Sequence, residues 1–273
     1  MKLKSHTLDI ITVCYNNLYG LTKTYKSLSG QINNDIRWII VDGNSTDGTK
    51  DFLLNLNSKY IKIISENDKG LYDAMNKGIS ISNGEYLFFL NSGDTLLTNL
   101  SSCVIKKLSS DVNVFNIKIA DENDNILIKR KLSTNPDSLK VFPSIPHQSA
   151  FIRRSLFLKF GLYDLDFLLL ADYEKFCKFL KNKVDFSFHD DIDVSIFNND
   201  GLTSNFSNYN NLFNEIQKIQ TKYFYRHSIR MTLVYKTKFF LFKIFRIKNL
   251  NVLRKVLQKF KNVHISNITN LQL

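Results

Sequence analysis

Cysteine, proline and glycine are all scarce in this chain, at three, three and ten residues among 273. So little proline and glycine excludes a collagenous, linker-rich or low-complexity chain, and regular structure is expected nearly throughout. The cysteines, Cys14, Cys103 and Cys177, form neither a CxxC pair nor an even framework. They read as buried thiols of a reducing compartment, which excludes a disulfide scaffold. No apolar segment of signal-peptide length precedes a cleavage site, because Met1–Leu8 runs directly into a strand pattern. The expected location is therefore the cytoplasm. An uncharged run of about 18 residues, the length a membrane span needs, is missing too. The aromatic stretch 229–247 comes nearest, and Lys236, Lys238, Lys243 and Arg246 interrupt it.

Negative charge is missing from one region only. Residues 1–200 hold 24 Lys+Arg and 24 Asp+Glu, whereas residues 201–273 hold 13 Lys+Arg and a single acid, Glu215. The whole net charge of +12 belongs to that tail. Such asymmetry marks an appended element that meets a polyanion, either a lipid headgroup surface or nucleic acid. Leu250, Leu253, Val256, Leu257 and Phe260 recur at helical spacing, with Arg254, Lys255, Lys259 and Lys261 among them. That is the profile of a basic helix lying in a membrane interface on the inner face of the cytoplasmic membrane. The residues expected to meet an anionic surface are Lys236, Phe239, Phe240, Lys243, Arg246, Arg254 and Lys255. Interleaved Tyr, Phe, Lys and Arg also suit RNA or DNA, though nucleic acid is not the partner expected.

With 44% hydrophobic residues the chain can bury one large core. Strand patterns at Leu8–Cys14, Arg37–Asp42, Ile61–Ser65 and Tyr86–Leu90 alternate with helical ones at Gly20–Gly30, Ser45–Asn57 and Leu71–Ser82. Strands alternating with helices predict a parallel sheet covered on both faces, and Ile39-Ile40-Val41 and Leu87-Phe88-Phe89-Leu90 barely alternate, as burial on both sides requires. Beyond residue 100 the pattern predicts a hairpin over Asp111–Ala120 and Ile126–Leu132, a helix starting near Arg153, another at Ala171–Lys181, strands at Val184–Phe188 and Asp193–Phe197, and a helix at Tyr209–Tyr225. The domain reading is a catalytic domain over 1–202, with its nucleotide part at about 8–95, followed by a basic, aromatic-rich helical extension over 203–273.

In an open parallel sheet, ligands bind beyond the carboxyl ends of the strands. The residues standing there are Tyr15-Asn16-Asn17, Asp42-Gly43-Asn44-Ser45, Glu66-Asn67-Asp68 and Asn91-Ser92-Gly93-Asp94. Neither GxxxxGK[ST] nor GxGxxG occurs, which disfavours a P-loop kinase and a dinucleotide oxidoreductase. A carboxylate facing a nucleotide accepts hydrogen bonds from base or ribose, and one facing a diphosphate needs a divalent cation between them. Asp42 suits the first role and Asp94 the second. The plain alternatives are a helix cap for Asp42 and a turn residue for Asp94. His189, His227 and His264 show no metal-ligand spacing.

Four segments in order carry a resemblance. Ile11-Thr12-Val13-Cys14-Tyr15-Asn16, Val41-Asp42-Gly43-Asn44-Ser45-Thr46-Asp47-Gly48-Thr49, Asp68-Lys69-Gly70-Leu71-Tyr72-Asp73-Ala74-Met75-Asn76-Lys77-Gly78 and Gly84-Glu85-Tyr86-Leu87-Phe88-Phe89-Leu90-Asn91-Ser92-Gly93-Asp94 resemble the successive signatures of family-2 glycosyltransferases. Those are bacterial enzymes of O-antigen, capsule and exopolysaccharide synthesis. His147-Gln148-Ser149-Ala150-Phe151 and Ala171-Asp172-Tyr173-Glu174 resemble the same group, so the likeness covers roughly residues 8–202.

The resemblance implies an α/β fold of the GT-A type, a Rossmann-like, mostly parallel sheet flanked by helices, and inverting transfer of a hexose or N-acetylhexosamine from a nucleoside diphosphate sugar, UDP-linked for preference, to a polyprenyl-diphosphate-linked saccharide. It assigns Thr12, Tyr15, Asp42, Asp68, Lys77 and Asn91 to the donor nucleotide. Asp94, with His147 as a further candidate, is assigned to a divalent metal, Mn2+ or Mg2+, and Asp172 to the general base. Glu174 competes for that last role two residues on. The segment in the place of an Asp-x-Asp motif has Asn91 and Gly93 where carboxylates often stand, leaving Asp94 as the one charged ligand. Metal affinity is then expected to be modest, with Lys69, Lys77 or His147 sharing the neutralisation of the diphosphate.

Overall fold

A computed structural model describes residues 6–120, 125–130, 134–198 and 208–225. The residues expected to contact a membrane, Lys236, Phe239, Phe240, Lys243, Arg246, Arg254 and Lys255, lie outside the described residues, as does the basic helical pattern around Leu250–Phe260. The first half of the domain runs β1 (Leu8–Cys14), α1 (Leu18–Leu28), β2 (Ile36–Asp42), α2 (Thr49–Leu54), β3 (Ile61–Ser65), α3 (Leu71–Ile81) and β4 (Tyr86–Phe89). The second half adds β5 (Thr95–Leu96), β6 (Val112–Ala120), β7 (Ile126–Arg130), β8 (Ala150–Arg153), α4 (Arg154–Phe160), α5 (Ala171–Lys181), β9 (Phe186–Asn198) and α6 (Tyr209–Phe224).

All of these strands join one sheet in the order β3-β2-β1-β4-β8-β6-β9-β5, with β7 pairing on β6. The β1–β2, β2–β3, β1–β4 and β6–β9 pairs are parallel, and β8 runs antiparallel to β4 and β6. Alternate residues of each central strand therefore feed two separate cores. Ile11, Val13, Ile39, Val41, Leu87 and Phe89 meet α3, α4, α5 and α6 on one face. Leu8, Ile10, Trp38, Ile40, Tyr86 and Phe88 meet α1 and α2 on the other. Burial on both faces explains the near-continuous apolar runs.

Three departures from the sequence reading have physical causes. The helix expected over Ser45–Asn57 shortens to Thr49–Leu54, because Ser45 and Asp47 are spent in the loop before it. Asp47 accepts bonds from Thr49 N at 3.2 Å and Leu18 N at 2.9 Å and so joins two helix starts. The two strands expected at 184–188 and 193–197 are one strand, β9, with a bulge. Phe115 pairs with His189 and the next residue, Asn116, with Asp193, while Asn116 Nδ2 donates to Asp190 O at 2.7 Å across the excess residues. β5 and β8, too short to show a period, are additions to that reading.

The body of the fold also reaches past residue 202. Ile216, Ile219 and Tyr223 of α6 are buried in the same core as α5. Among the described residues no helix is long and apolar enough to cross a membrane.

α3 presses on β1 so closely that a Cβ built on Gly78 would stand 2.6 Å from Ile11 Cγ2, a buried core atom with no room to yield. Gly78→Ala gains up to about 1 kcal/mol of helix propensity but overpacks the core by about 1–3 kcal/mol. The expected outcome is a net loss of about 1–2 kcal/mol in urea unfolding at unchanged m-value. A stabilised variant would show that α3 can move off the sheet.

Candidate active site

The loops leaving β1, β2 and β4 are knitted into one rim. Asn16, held in the left-handed region at φ 46°, donates its N–H to Ser45 Oγ at 2.8 Å and accepts from Thr46 N at 2.8 Å. Asn is one of the few residues that enters that region cheaply. Asn17 accepts from Gly20 N at 3.0 Å, which caps α1, and its amide donates to Ser92 O and Oγ at 3.3 and 3.2 Å. The β1 loop thus bridges the β2 loop on one side and the β4 loop on the other.

At the β2 side, Asp42 is fully buried, and its carboxylate accepts from Ser45 N, Ser45 Oγ and, at 2.6 Å, Ser65 Oγ. Gly43 follows it and is buried. A Cβ there would meet Asp68 Oδ2 at 2.5 Å and Tyr15 Cδ2 at 3.1 Å, so the missing side chain is what lets Tyr15 and Asp68 close together over the strand end. Tyr15 is 66% exposed, leaving its ring available to a flat ligand.

Two predicted nucleotide residues stand further back. Thr12 is fully buried, donates to Leu90 O at 2.7 Å and accepts from Trp38 Nε1 at 2.8 Å, so its hydroxyl ties β1 to its two neighbouring strands. Lys77 pairs with Glu66 at 2.9 Å and Asp73 at 3.9 Å and donates to Asn67 O. Its ammonium is engaged in holding the β3 loop.

On the other side of the rim, His147 joins the remaining residues. Its Nδ1 lies 3.1 Å from Asp172 Oδ2, and its Nε2 lies 3.0 Å from Asn91 Nδ2. With Nε2 accepting from the Asn91 amide, Nδ1 carries the proton and donates to Asp172. Asp172 sits in the first turn of α5, where the helix dipole favours its charge. Its Oδ1 accepts from Tyr72 OH at 2.9 Å and Tyr173 N at 2.8 Å. Burial first, and then the charge of Asp172, hold the Tyr72 phenol well above its ordinary pKa, so it stays a donor. Glu174, the competing carboxylate, points away from the rim chemistry. It is 1% exposed and bonded to Lys222 at 2.9 Å and to Tyr223 OH.

Asp94 is 3% exposed, and only one of its carboxylate oxygens is satisfied, by Asn198 N at 3.0 Å. Burial pushes its carboxyl up to about 6, against the lowering influence of the Asn198 N–H and of His147. Asp94 Oδ2 lacks any partner, and so do Asn91 Oδ1 and Asn198 Oδ1 on the two residues whose backbones bond Asp94. Orphaned buried acceptors are costly and rare. An all-oxygen set with one charge suits a hard divalent cation of the Mg2+ or Mn2+ kind. Among the described residues no cluster of three His, Cys, Asp or Glu side chains could hold a metal. Amide oxygens would therefore have to complete the set.

Sequence reasoning did not single out Gly43, Ser65, Tyr72 or Asn198 as site residues, and it read Ser45 as a helix opener. Gly43 and Tyr72 lie inside the quoted motifs, where their position was a usable signal. Ser65 and Asn198 act at strand ends with no motif of their own.

Residues 9–185 match the family described as Glycosyl transferase family 2. An uncharacterized glycosyltransferase of Mycobacterium tuberculosis is 34% identical over 174 residues, 62% of this chain and 66% of that protein. The chain thus spans just under two thirds of that relative's length. A GalNAc(5)-diNAcBac-PP-undecaprenol beta-1,3-glucosyltransferase of Campylobacter jejuni is 29% identical over 124 residues, 44% of this chain and 40% of that one. Among solved structures, the S. aureus TarS 1–349 complex with UDP superposes with a TM-score of 0.59 at 18% identity, covering 79% of this chain and 64% of that one. A mannosyltransferase of Pyrobaculum calidifontis bound to GDP-Man and Mn2+ gives 0.53 at 14% identity, covering 71% and 57%.

The raised carboxyl of Asp94 has a signed consequence. Between the unfolded value near 4 and the folded value of about 6, the native chain keeps a proton that the unfolded chain has lost. Stability therefore falls as pH rises through that window, by about 3 kcal/mol at most, and stays low above it. Without metal, Asp94→Asn is expected to melt above the parent at about pH 7.5 and to lose that advantage at about pH 5. Mn2+ should raise the melting temperature of the parent at the higher pH and not that of the variant. Equal pH dependence in the two proteins would refute the assignment.

Proposed function

The chain belongs to glycosyl transferase family 2, and from that premise we propose that it moves a hexose or N-acetylhexosamine, with inversion, from a UDP-sugar to a lipid-linked saccharide in surface polysaccharide synthesis. It is a glycosyltransferase with the GT-A architecture. The observation that carries the finer reading is the path from Asp172 through His147 to Asn91, three residues ahead of Asp94. It supports a carboxylate base and a diphosphate-facing loop on the two sides of one imidazole.

In this reading Asp172 takes the proton from the acceptor hydroxyl as its oxygen attacks the anomeric carbon opposite the departing diphosphate. The Asp172 carboxylate already accepts from Tyr72, Tyr173 N and His147, which leaves about one of its four acceptor positions for that hydroxyl. A second carboxylate is not needed, because a single displacement inverts without a covalent intermediate. A divalent cation held by Asp94, with Asn91 and Asn198 oxygens beside it, would supply the positive charge that a leaving diphosphate needs.

Tyr15 and Asp68, closed over Gly43, form the donor platform, with Asp42 beneath them. For Asp42 to meet a base edge, the Ser45 hydroxyl must turn off it. Thr12 and Lys77 act from behind, by fixing the strands and the β3 loop. The acceptor class is supported by the undecaprenol-linked substrate in the name of the Campylobacter relative and by the basic residues 201–273, which suit an anionic leaflet. In this proposal the catalytic body, which the sequence reading ends at residue 202, continues through α6, and the basic residues after α6 hold it peripherally at the inner membrane face.

Asp172→Asn keeps the shape and removes the base, so turnover should fall by at least about a thousandfold while nucleotide binding stays measurable. Near-normal turnover in that variant would remove Asp172 from the mechanism. A thermal-shift screen of nucleoside diphosphates, run with and without Mn2+, should single out UDP and show a larger shift when the metal is present. Stabilisation by GDP instead would correct the donor.

A further inference from the structure

The tail contains one acidic residue, Glu215, and its carboxylate is bound to the chain segment that leads into Asp172. Oε1 accepts from Leu168 N at 2.9 Å and Leu169 N at 3.3 Å, and Oε2 accepts from Leu169 N at 3.1 Å and Leu170 N at 2.9 Å. Three successive backbone N–H groups converging on one anion form a nest, and this nest immediately precedes Ala171, the first residue of α5. The same segment is held from its opposite side. Tyr72 OH shares its one proton between Asp172 Oδ1 at 2.9 Å and Leu169 O at 3.1 Å. Leu169 is thus gripped through its N–H by Glu215 and through its carbonyl by the phenol that also holds Asp172.

Helix α6 is fixed firmly enough to serve as the anchor. Gln220 Nε2 donates to Val141 O at 2.7 Å and lies 3.3 Å from Tyr173 OH. Lys222 and Tyr223 bond Glu174 on α5, and Ile216 and Ile219 are buried in the shared core. Leu169 and Leu170 are buried in the core, but Leu168 is 67% exposed, so side-chain burial does not hold the backbone where the segment begins. An amide on an exposed residue opens locally unless a hydrogen bond fixes it.

We propose that Glu215 is a positioning residue for the transfer reaction: its carboxylate clamps the 168–170 amides and thereby sets where α5 presents Asp172 to the acceptor hydroxyl. The inference rests on the reading of Asp172 as the base. It makes the first helix of the basic segment a working part of the active site, and it accounts for one acid persisting where all other charge is positive. A displacement of about 1 Å in a reacting group is enough to cost about a hundredfold in rate, so a clamp of this kind acts on kcat and leaves donor affinity alone.

The test compares the full-length parent with Glu215→Gln and, in parallel, Asp172→Asn. Glu215→Gln keeps the volume but turns an NH2 group toward the backbone donors. Its kcat should fall about tenfold or more, with KM for the UDP-sugar and the UDP binding stoichiometry unchanged. Hydrogen exchange should quicken at the 168–170 amides and not in β1 or β4. A kcat within about twofold of the parent with those amides deprotected would overturn the proposal. So would a rate loss matched by an equal loss of UDP binding sites, which would make the residue structural. If Glu215→Gln does not fold, exchange in the parent decides: slow exchange at the amide of the exposed Leu168 supports the clamp, and exchange there at the rate of an open loop overturns it. High turnover in Asp172→Asn would sink the base reading itself, whereas a dead Asp172→Asn beside a fully active Glu215→Gln would sink only the clamp.

Discussion

The pair of hydrogen bonds made by the His147 ring is the constraint on which the rest of the site depends. An imidazole only 7% exposed has to satisfy both nitrogens inside the protein, and Asp172 and Asn91 are the groups that do so. What brings the three together is strand register. β8 pairs antiparallel with β4, with Phe88 opposite Phe151, and the two rings stack at 4.3 Å. Continuing that register outward sets the residues just before β8 beside the residues just after β4. His147 and Asn91 therefore meet because β8 runs against β4, the last strand of the parallel half.

Two buried carboxylates show how the same fold treats structural and functional charge differently. Asp9 is 1% exposed, at the end of the sheet remote from the rim. Burial pushes its pKa up, but His6 and the N–H groups of Gly84 and Asn83 outweigh it and leave the pKa lowered. Asp94 is buried to the same degree with one N–H partner and an orphaned oxygen, and its pKa is raised. The first arrangement stabilises the charged form and closes a turn. The second leaves a buried carboxylate with one oxygen unpartnered, a cost that strained sites more often carry than structural ones.

Much of this was legible in the sequence because the informative residues are local. β1, β3 and α5 follow directly from apolar period and end residues, and the polar runs after each strand had to lie on one rim once the sheet was parallel. The connections made by short or long-range pairing were not legible. β8 has four residues and β5 two, below any usable period, so the proximity of His147 to Asn91 and of Asn198 to Asp94 had no local sign. Ser45 illustrates the converse. Its type and place fit a helix cap, and the competing bond to Asp42, set by the strand end, took it into the loop.

The tail shows why a charge count and a packing count divide a chain differently. Counting charge puts the boundary near residue 200, because every excess cation lies beyond it. Packing instead assigns α6 to the body, since Ile216, Ile219 and Tyr223 repeat at helical spacing on the face turned to α5. Both counts are right about different faces of one helix: charge is carried where solvent can reach, and the apolar stripe underneath is invisible to a sum. Helix α6, within the basic segment, is bonded to α5 through Glu215 at its entrance and through Lys222 and Tyr223 along its side. The carboxylate of Glu215 thus ties this helix to the backbone just ahead of Asp172.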